Sequence, residues 1–125
     1  MSQEFPISQT RAFRTLATLF GGRHGTVTLD NASVRVRFGV MFRAEVPRSA
    51  VRGAKRWTGR VGGWGAHGRR GRWLVNGSSR GIVQIQLDST QPGSMTGLPV
   101  KITELLVSVE DPDGLVAALG PPLDE

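Results

Sequence analysis

A ten-residue alternation most narrows what this chain can fold into: Val34, Val36, Phe38, Val40 and Phe42 interleave with Arg35, Arg37, Gly39, Met41 and Arg43. A strict period of two puts the first set on one face of an extended strand and the second on the other. A helix would spread the five apolar side chains around its axis, so the segment reads as β structure with one buried and one wet face. The run is longer than a usual strand of about five to six residues. Gly39, which lacks a side chain, is where a break or sharp bend is expected.

The same period recurs on either side. Val27 and Leu29 alternate with Thr26, Thr28 and Asp30, and Asp30-Asn31 supplies a turn, so a hairpin leads into the arginine-rich run. Pro47 cannot donate to a central ladder; segment 45–49 should therefore leave the sheet or lie at its edge, with a further strand from Ala50 towards Trp57. The glycine-dense stretch 59–71 reads as a long loop or wide hairpin. Segments 72–76 and 82–88 read as strands joined at hairpin length by Gly77-Ser78-Ser79-Arg80-Gly81, with Val83, Ile85 and Leu87 inward. Segment 91–97 reads as another loop and 100–110 as a last strand. Its inward parity shifts between Ile102 and Leu105, which implies a bulge near Thr103 and Glu104.

Two helices are expected. Phe13, Leu16, Ala17 and Phe20 recur at helical spacing before Gly21-Gly22, on a stripe flanked by Arg11 and Arg14. At the other end, Asp111 can accept hydrogen bonds from first-turn N–H groups, Pro112 suits the first helical position and Asp113 complements the dipole. Gly120 and Pro121-Pro122 end this helix, 111–119, whose stripe of Leu115, Val116 and Leu119 should cover an open end or face of the sheet. Residues 1–8 read as a flexible N-terminus and 121–125 as a flexible tail, with one domain over 9–120. The fold class is therefore mainly β: a single small antiparallel barrel or two orthogonal sheets, capped by a C-terminal α-helix.

Charge is distributed unevenly. From Arg11 to Arg80 there are 15 basic residues against Asp30 and Glu45 alone, whereas the rest of the chain carries one lysine against eight carboxylates. A basic middle of this kind suits an anionic partner. Arginine outnumbers lysine 14 to 2, and a GC-rich genome would give the same bias together with the many glycines. With no cysteine, disulfides, thiolate nucleophiles and cysteine-bound zinc are excluded. The longest apolar runs fall far short of the roughly 20 residues that span a bilayer. Met1 is not followed by a basic and then apolar stretch, so a cytoplasmic place, peripheral to the inner membrane face if lipid is the partner, is expected.

Three segments, in order, resemble the bacterial pleckstrin-homology-like proteins, in particular small ones of actinobacteria. They are Arg35-Val36-Arg37-Phe38-Gly39 with Val46-Pro47-Arg48-Ser49-Ala50-Val51; Gly63-Trp64-Gly65-Ala66-His67-Gly68 through Gly71-Arg72-Trp73-Leu74-Val75-Asn76-Gly77; and Val107-Ser108-Val109-Glu110-Asp111-Pro112-Asp113 with its following helix. The resemblance implies a seven-stranded barrel of two near-orthogonal sheets closed at one end by the helix. It implies no activity, because that fold serves lipid binding, peptide binding and scaffolding alike.

Catalytic chemistry finds little stock here: two histidines, ten carboxylates and no tyrosine. His67 lacks a neighbouring carboxylate to orient it, Ser78-Ser79 lie outside any nucleophile-elbow pattern, and the glycines at 63, 65, 68 and 71 match neither a dinucleotide nor a P-loop spacing. No catalytic residue, metal site or cofactor is assigned. The stretch 52–72 carries the functional expectation: Arg52, Lys55, Arg56, Arg60, Arg69, Arg70 and Arg72 are candidate anion-binding residues. Trp64, set between glycines, is the candidate aromatic contact, whereas Trp73, which shares parity with Val75 in a strand, is expected to fill the core, and Trp57 is left open between the core and the cationic stretch. Arg35, Arg37 and Arg43 read as the solvated face of a sheet. The expected protein is a non-enzymatic binding or scaffolding module whose partner is an anionic membrane surface or a protein. A nucleic-acid-binding barrel is the alternative, and a carrier or enzyme with a barrel cavity the third reading.

Overall fold

The computed structural model describes residues 2–8, 25–39, 41–59, 65–69, 71–76, 78 and 80–120. Its strands are β1 (Gln3–Pro6), β2 (Gly25–Leu29), β3 (Ser33–Phe38), β4 (Phe42–Pro47), β5 (Val51–Arg56), β6 (Gly65–Arg69), β7 (Arg72–Asn76), β8 (Ile82–Met95) and β9 (Leu98–Ser108), followed by α1 (Pro112–Leu119). A 3₁₀ turn, Arg48–Ala50, joins β4 to β5. The strands form one curled, half-barrel sheet in the order β1-β2-β3-β4-β8-β9-β7-β6, with β5 added beside β8. The fold is thus mainly β with a C-terminal helix.

The arginine-rich alternation folds back on itself. β3 ends at Phe38, Gly39 takes a positive φ of 56°, and β4 begins at Phe42, so the long run becomes a hairpin with Phe38 opposite Phe42. Val34, Val36, Phe38, Phe42, Ala44 and Val46 are buried and Arg35, Arg37, Arg43 and Glu45 exposed. Beyond Ala44, β4 has only β3 beside it, so Pro47 ends the strand at an edge where its missing N–H leaves no gap in the ladder.

β8 and β9 are long because each serves two parts of the sheet. The first half of β8 pairs with β5 and the second with β4, while β9 runs alongside both halves. The β8–β9 register shifts between Gln86 and Gln91, so several β8 residues face Thr103 alone. This is the irregularity that the parity change between Ile102 and Leu105 requires, and it bends the sheet around a core that includes Phe38, Phe42, Ile85, Ile102, Leu105 and Leu115.

Several expectations are corrected. The first residues do not form a flexible terminus: β1 pairs with β2, Ile7 bridges Val109, and Phe5 and Ile7 are buried. Two apolar side chains in a polar stretch were too weak a signal for a strand. Segment 91–97 is not a loop; Gln91 to Met95 continues β8 and only Thr96-Gly97 turns. The stretch 59–71 contains β6, which pairs with β7 about a turn at Gly71. β7 and β8 do not form a hairpin with each other: β9 lies between them and pairs with β7 in parallel, the one parallel pairing among the described residues. The connection crosses the end of β9, where Val109 N–H donates to the Gly81 carbonyl at 3.0 Å and a Cβ on Gly81 would strike the Val109 carbonyl oxygen. The resemblance's seven strands become nine.

Helix α1 forms as its sequence dictates. The Asp111 carboxylate accepts from Gly114 N–H at 3.0 Å, Pro112 opens the first turn, and Gly120, at φ 82°, ends it. Leu115 is fully buried against the core, a contact that contributes about 1.5–3 kcal/mol. Two bonds fix the helix end: Ala54 N–H donates to the Gly120 carbonyl at 2.8 Å, and Arg48 Nη2 to the Ala118 carbonyl at 3.4 Å. The helix expected over 13–20 and the tail at 121–125 lie outside the described residues.

Candidate functional site

Among the described residues, the cations of the stretch 52–72 fall on β5 and on the β6–β7 hairpin, where Arg69 stands opposite Arg72. Arg52, Lys55 and Arg56 are on β5 and Arg72 on β7, with β8 and β9 between those strands. Arg52 is half-buried, and Lys55 is exposed opposite Gln84. Arg56 binds the Asp113 carboxylate of α1 at 2.8 Å. Arg72 pairs with Glu104 at 2.6 Å, its cross-strand partner in β9, and lies over the Trp57 ring at 5.2 Å. Arg69 belongs to β6; Arg60, Trp64 and Arg70 lie outside the described residues.

The tryptophans settle differently. Trp73 is buried as expected, its ring 5.5 Å from that of Phe42 and its Nε1 donating to the Lys101 carbonyl at 3.1 Å. Its neighbour across the β6–β7 pair is Gly68, where any Cβ would run into the indole. Trp57 is only half-buried, because Arg72 rather than the core covers its ring.

A second group of cations, read from the sequence as mere solvated face, is also brought together. Arg37 stands directly opposite Arg43 across the β3–β4 pair, and Arg43 opposite Ser94 across the β4–β8 pair. Thr26 extends this row on β2. β4 keeps β8 beside it only from Phe42 to Ala44, after which the two strands diverge and a trough opens on the wet face. The trough has a volume of about 480 Å³ and is lined by Arg35, Arg37, Arg43, Glu45, Pro92 and Ser94, with Val36, Ala44 and Gly93 beneath. Lys101 lies on the same face, opposite Pro92.

The electrostatics of this row are unbalanced. Arg35 binds Asp30 at 3.3 Å, and Glu45 stands opposite it in the ladder. Arg37 and Arg43 face each other, and among the described residues neither has a carboxylate partner. Like charges directly opposite are destabilising by an amount comparable to the roughly 0.2–1 kcal/mol that an opposite-charge pair contributes. Asp30 is committed to its turn: it accepts from Ala32 N–H at 2.8 Å and Ser33 N–H at 2.7 Å, and these bonds hold its carboxyl below the usual range, with help from Arg35.

A signal for the trough was present in the sequence. A hairpin that reverses between Phe38 and Phe42 must place residue 37 against 43 and 35 against 45. The divergence of β4 from β8 had no such signal, because it depends on pairing between segments some fifty residues apart. Among the described residues no helix is long and apolar enough to cross a membrane, and no group of three or more histidines and carboxylates gathers to hold a metal ion. The described geometry defines a curled β-sheet module with a cationic trough on its solvent face. No protein-family model, curated protein or solved structure matches this chain.

Proposed function

We propose that this protein is a non-enzymatic, pleckstrin-homology-like binding module whose trough takes up phosphate groups of a polyanionic partner. The observation that carries the reading is the apposition of Arg37 and Arg43 in an open trough whose one lining carboxylate, Glu45, stands opposite Arg35 rather than either of them. Such a pair is unfavourable for the sheet alone and favourable once an anion lies between the two guanidiniums. Guanidinium groups stay protonated at neutral pH, so a site built from them holds charge rather than moving protons. Ser94 and Thr26 add hydroxyls along the same row. Kinship with pleckstrin-homology-like proteins draws support from the curled sheet and from the last strand running into an Asp-Pro-capped helix.

The test is equilibrium binding of short-chain polyphosphate at two salt concentrations. Each cation near a polyanionic surface contributes on the order of 1 kcal/mol, so Arg37→Ala with Arg43→Ala should weaken binding about thirtyfold and flatten its salt dependence. Arg56→Ala with Arg72→Ala should change it only slightly, since those side chains already hold Asp113 and Glu104. No binding by the wild type, or equal losses from both pairs, would refute the reading.

A further inference from the structure

Arg37 and Arg43 lie near the end of the sheet where β3 turns into β4, and that end has a second property. The β3–β4 and β8–β9 turns lie side by side there, tied by Thr96 N–H donating to the Met41 carbonyl at 2.8 Å. Thr96 and Gly97 form the tip of the β8–β9 hairpin with φ values of 47° and 86°. A β-branched residue is disfavoured in that left-handed conformation, so the bond to Met41 holds the tip in a shape its own sequence resists.

The inner face of β9 runs out of core at this tip. Along the row Ile102, Val100 and Leu98, burial gives way from complete to half, and Leu98 is 68% exposed. It is the one large hydrophobic side chain so exposed among the described residues. Met95, its partner across the β8–β9 pair, is half-buried, as is Met41 in the β3–β4 turn. The opposite face of the same end carries Arg37 and Arg43, with Lys101 further along β9. The carboxylates Glu110, Asp111 and Asp113 follow the far end of β9. The molecule therefore presents an apolar point beside unanswered cations at one end and acidic groups at the other.

We propose that the β8–β9 tip docks the protein on an anionic lipid bilayer, Leu98 entering the interface while Arg37, Arg43 and Lys101 meet lipid phosphates. This rests on the phosphate-binding reading of the trough and supplies its partner. Apolar insertion and electrostatic attraction to anionic lipid add in such contacts. A single-stranded nucleic acid would call instead for aromatic platforms on which bases stack. Of the described tryptophans, Trp73 is in the core and Trp57 lies under Arg72.

The chain contains no cysteine, so Leu98→Cys gives a single labelling site for an environment-sensitive fluorophore. With vesicles of phosphatidylglycerol in phosphatidylcholine, the label is expected to shift to the blue and to be quenched by a lipid-borne quencher. Leu98→Asp should weaken vesicle binding about tenfold or more and leave polyphosphate binding unchanged. Vesicle binding with the label still in water and Leu98→Asp without effect overturns the tip proposal and leaves the trough reading standing. Loss of neither vesicle nor polyphosphate binding in the Arg37→Ala, Arg43→Ala protein overturns the trough reading itself. Binding of an oligonucleotide in preference to vesicles overturns the choice of lipid.

Discussion

Two regions of this protein are rich in arginine and behave oppositely. In the β5–β7 region, Arg56 is bound by Asp113 and Arg72 by Glu104 and the face of Trp57. In the β3–β4 hairpin, Arg37 and Arg43 stand opposite each other, with no ion pair to a carboxylate among the described residues. The first region has the higher density of cations along the chain, and among the described residues two of them are answered by carboxylates, whereas Arg37 and Arg43 of the second are not. Strand register decides this, because it chooses which side chains stand 4.5–5.5 Å apart or so, and a count along the sequence does not see it.

The sharpest way to break the contrast is at the residue that joins the two regions. Trp73 belongs to β7 yet packs on Phe42 of the hairpin, and Trp73→Ala should lower stability by about 3–5 kcal/mol; urea unfolding measures it, and a loss below about 1 kcal/mol would mean the regions are held together by something else. Next in size, Asp111→Ala removes the cap of α1 and should lose about 1 kcal/mol, with trough binding unchanged. Smaller but of opposite sign, Arg43→Glu places a carboxylate across from Arg37 and should raise stability by roughly 0.2–1 kcal/mol at low salt while abolishing polyphosphate binding. Thermal melts at low and high salt would read it; a destabilised variant would show that Arg37 and Arg43 are not close neighbours. The equivalent Arg72→Glu should destabilise, since it repels Glu104.

The smallest effect concerns pH. The Asp30 carboxyl is held below its ordinary value by the N–H groups of Ala32 and Ser33, so its stabilising contribution is full above the unfolded pKa and is lost as pH falls through the lower folded value. Asp30→Asn should therefore narrow the difference in melting temperature between neutral and strongly acidic solution. An unchanged difference would assign the acid sensitivity to other carboxylates.

Much of the fold was legible in the residues. The hairpin of β3 and β4 followed from alternation interrupted by Gly39, the helix α1 from Asp111-Pro112 and Gly120, and the bulge from the spacing of Ile102 and Leu105. These are local signals, in which period and capping chemistry lie within a few residues. What escaped was long-range. Nothing in Arg72-Trp73-Leu74-Val75-Asn76 says that its partner is β9 in parallel rather than β8, and nothing in Gln91-Pro92-Gly93 marks a continuing strand, because glycine and proline there are accommodated by the curve of the sheet. The candidate site was half legible. Arg37 and Arg43 were visible as exposed residues, but their isolation from acid depends on where Asp30, Glu45, Glu104 and Asp113 come to rest.

The position of β9 between β7 and β8 has a consequence for how the chain assembles. During synthesis, β6 and β7 leave the ribosome well before residues 98–108, and among the described strands β9 alone links them to the rest of the sheet. That hairpin must therefore wait, with Trp73 unsheltered, until β9 has emerged. Folding of this part is thus postponed until β9 is made, and a ribosome that stalls before β9 leaves an open edge for chaperones to shield.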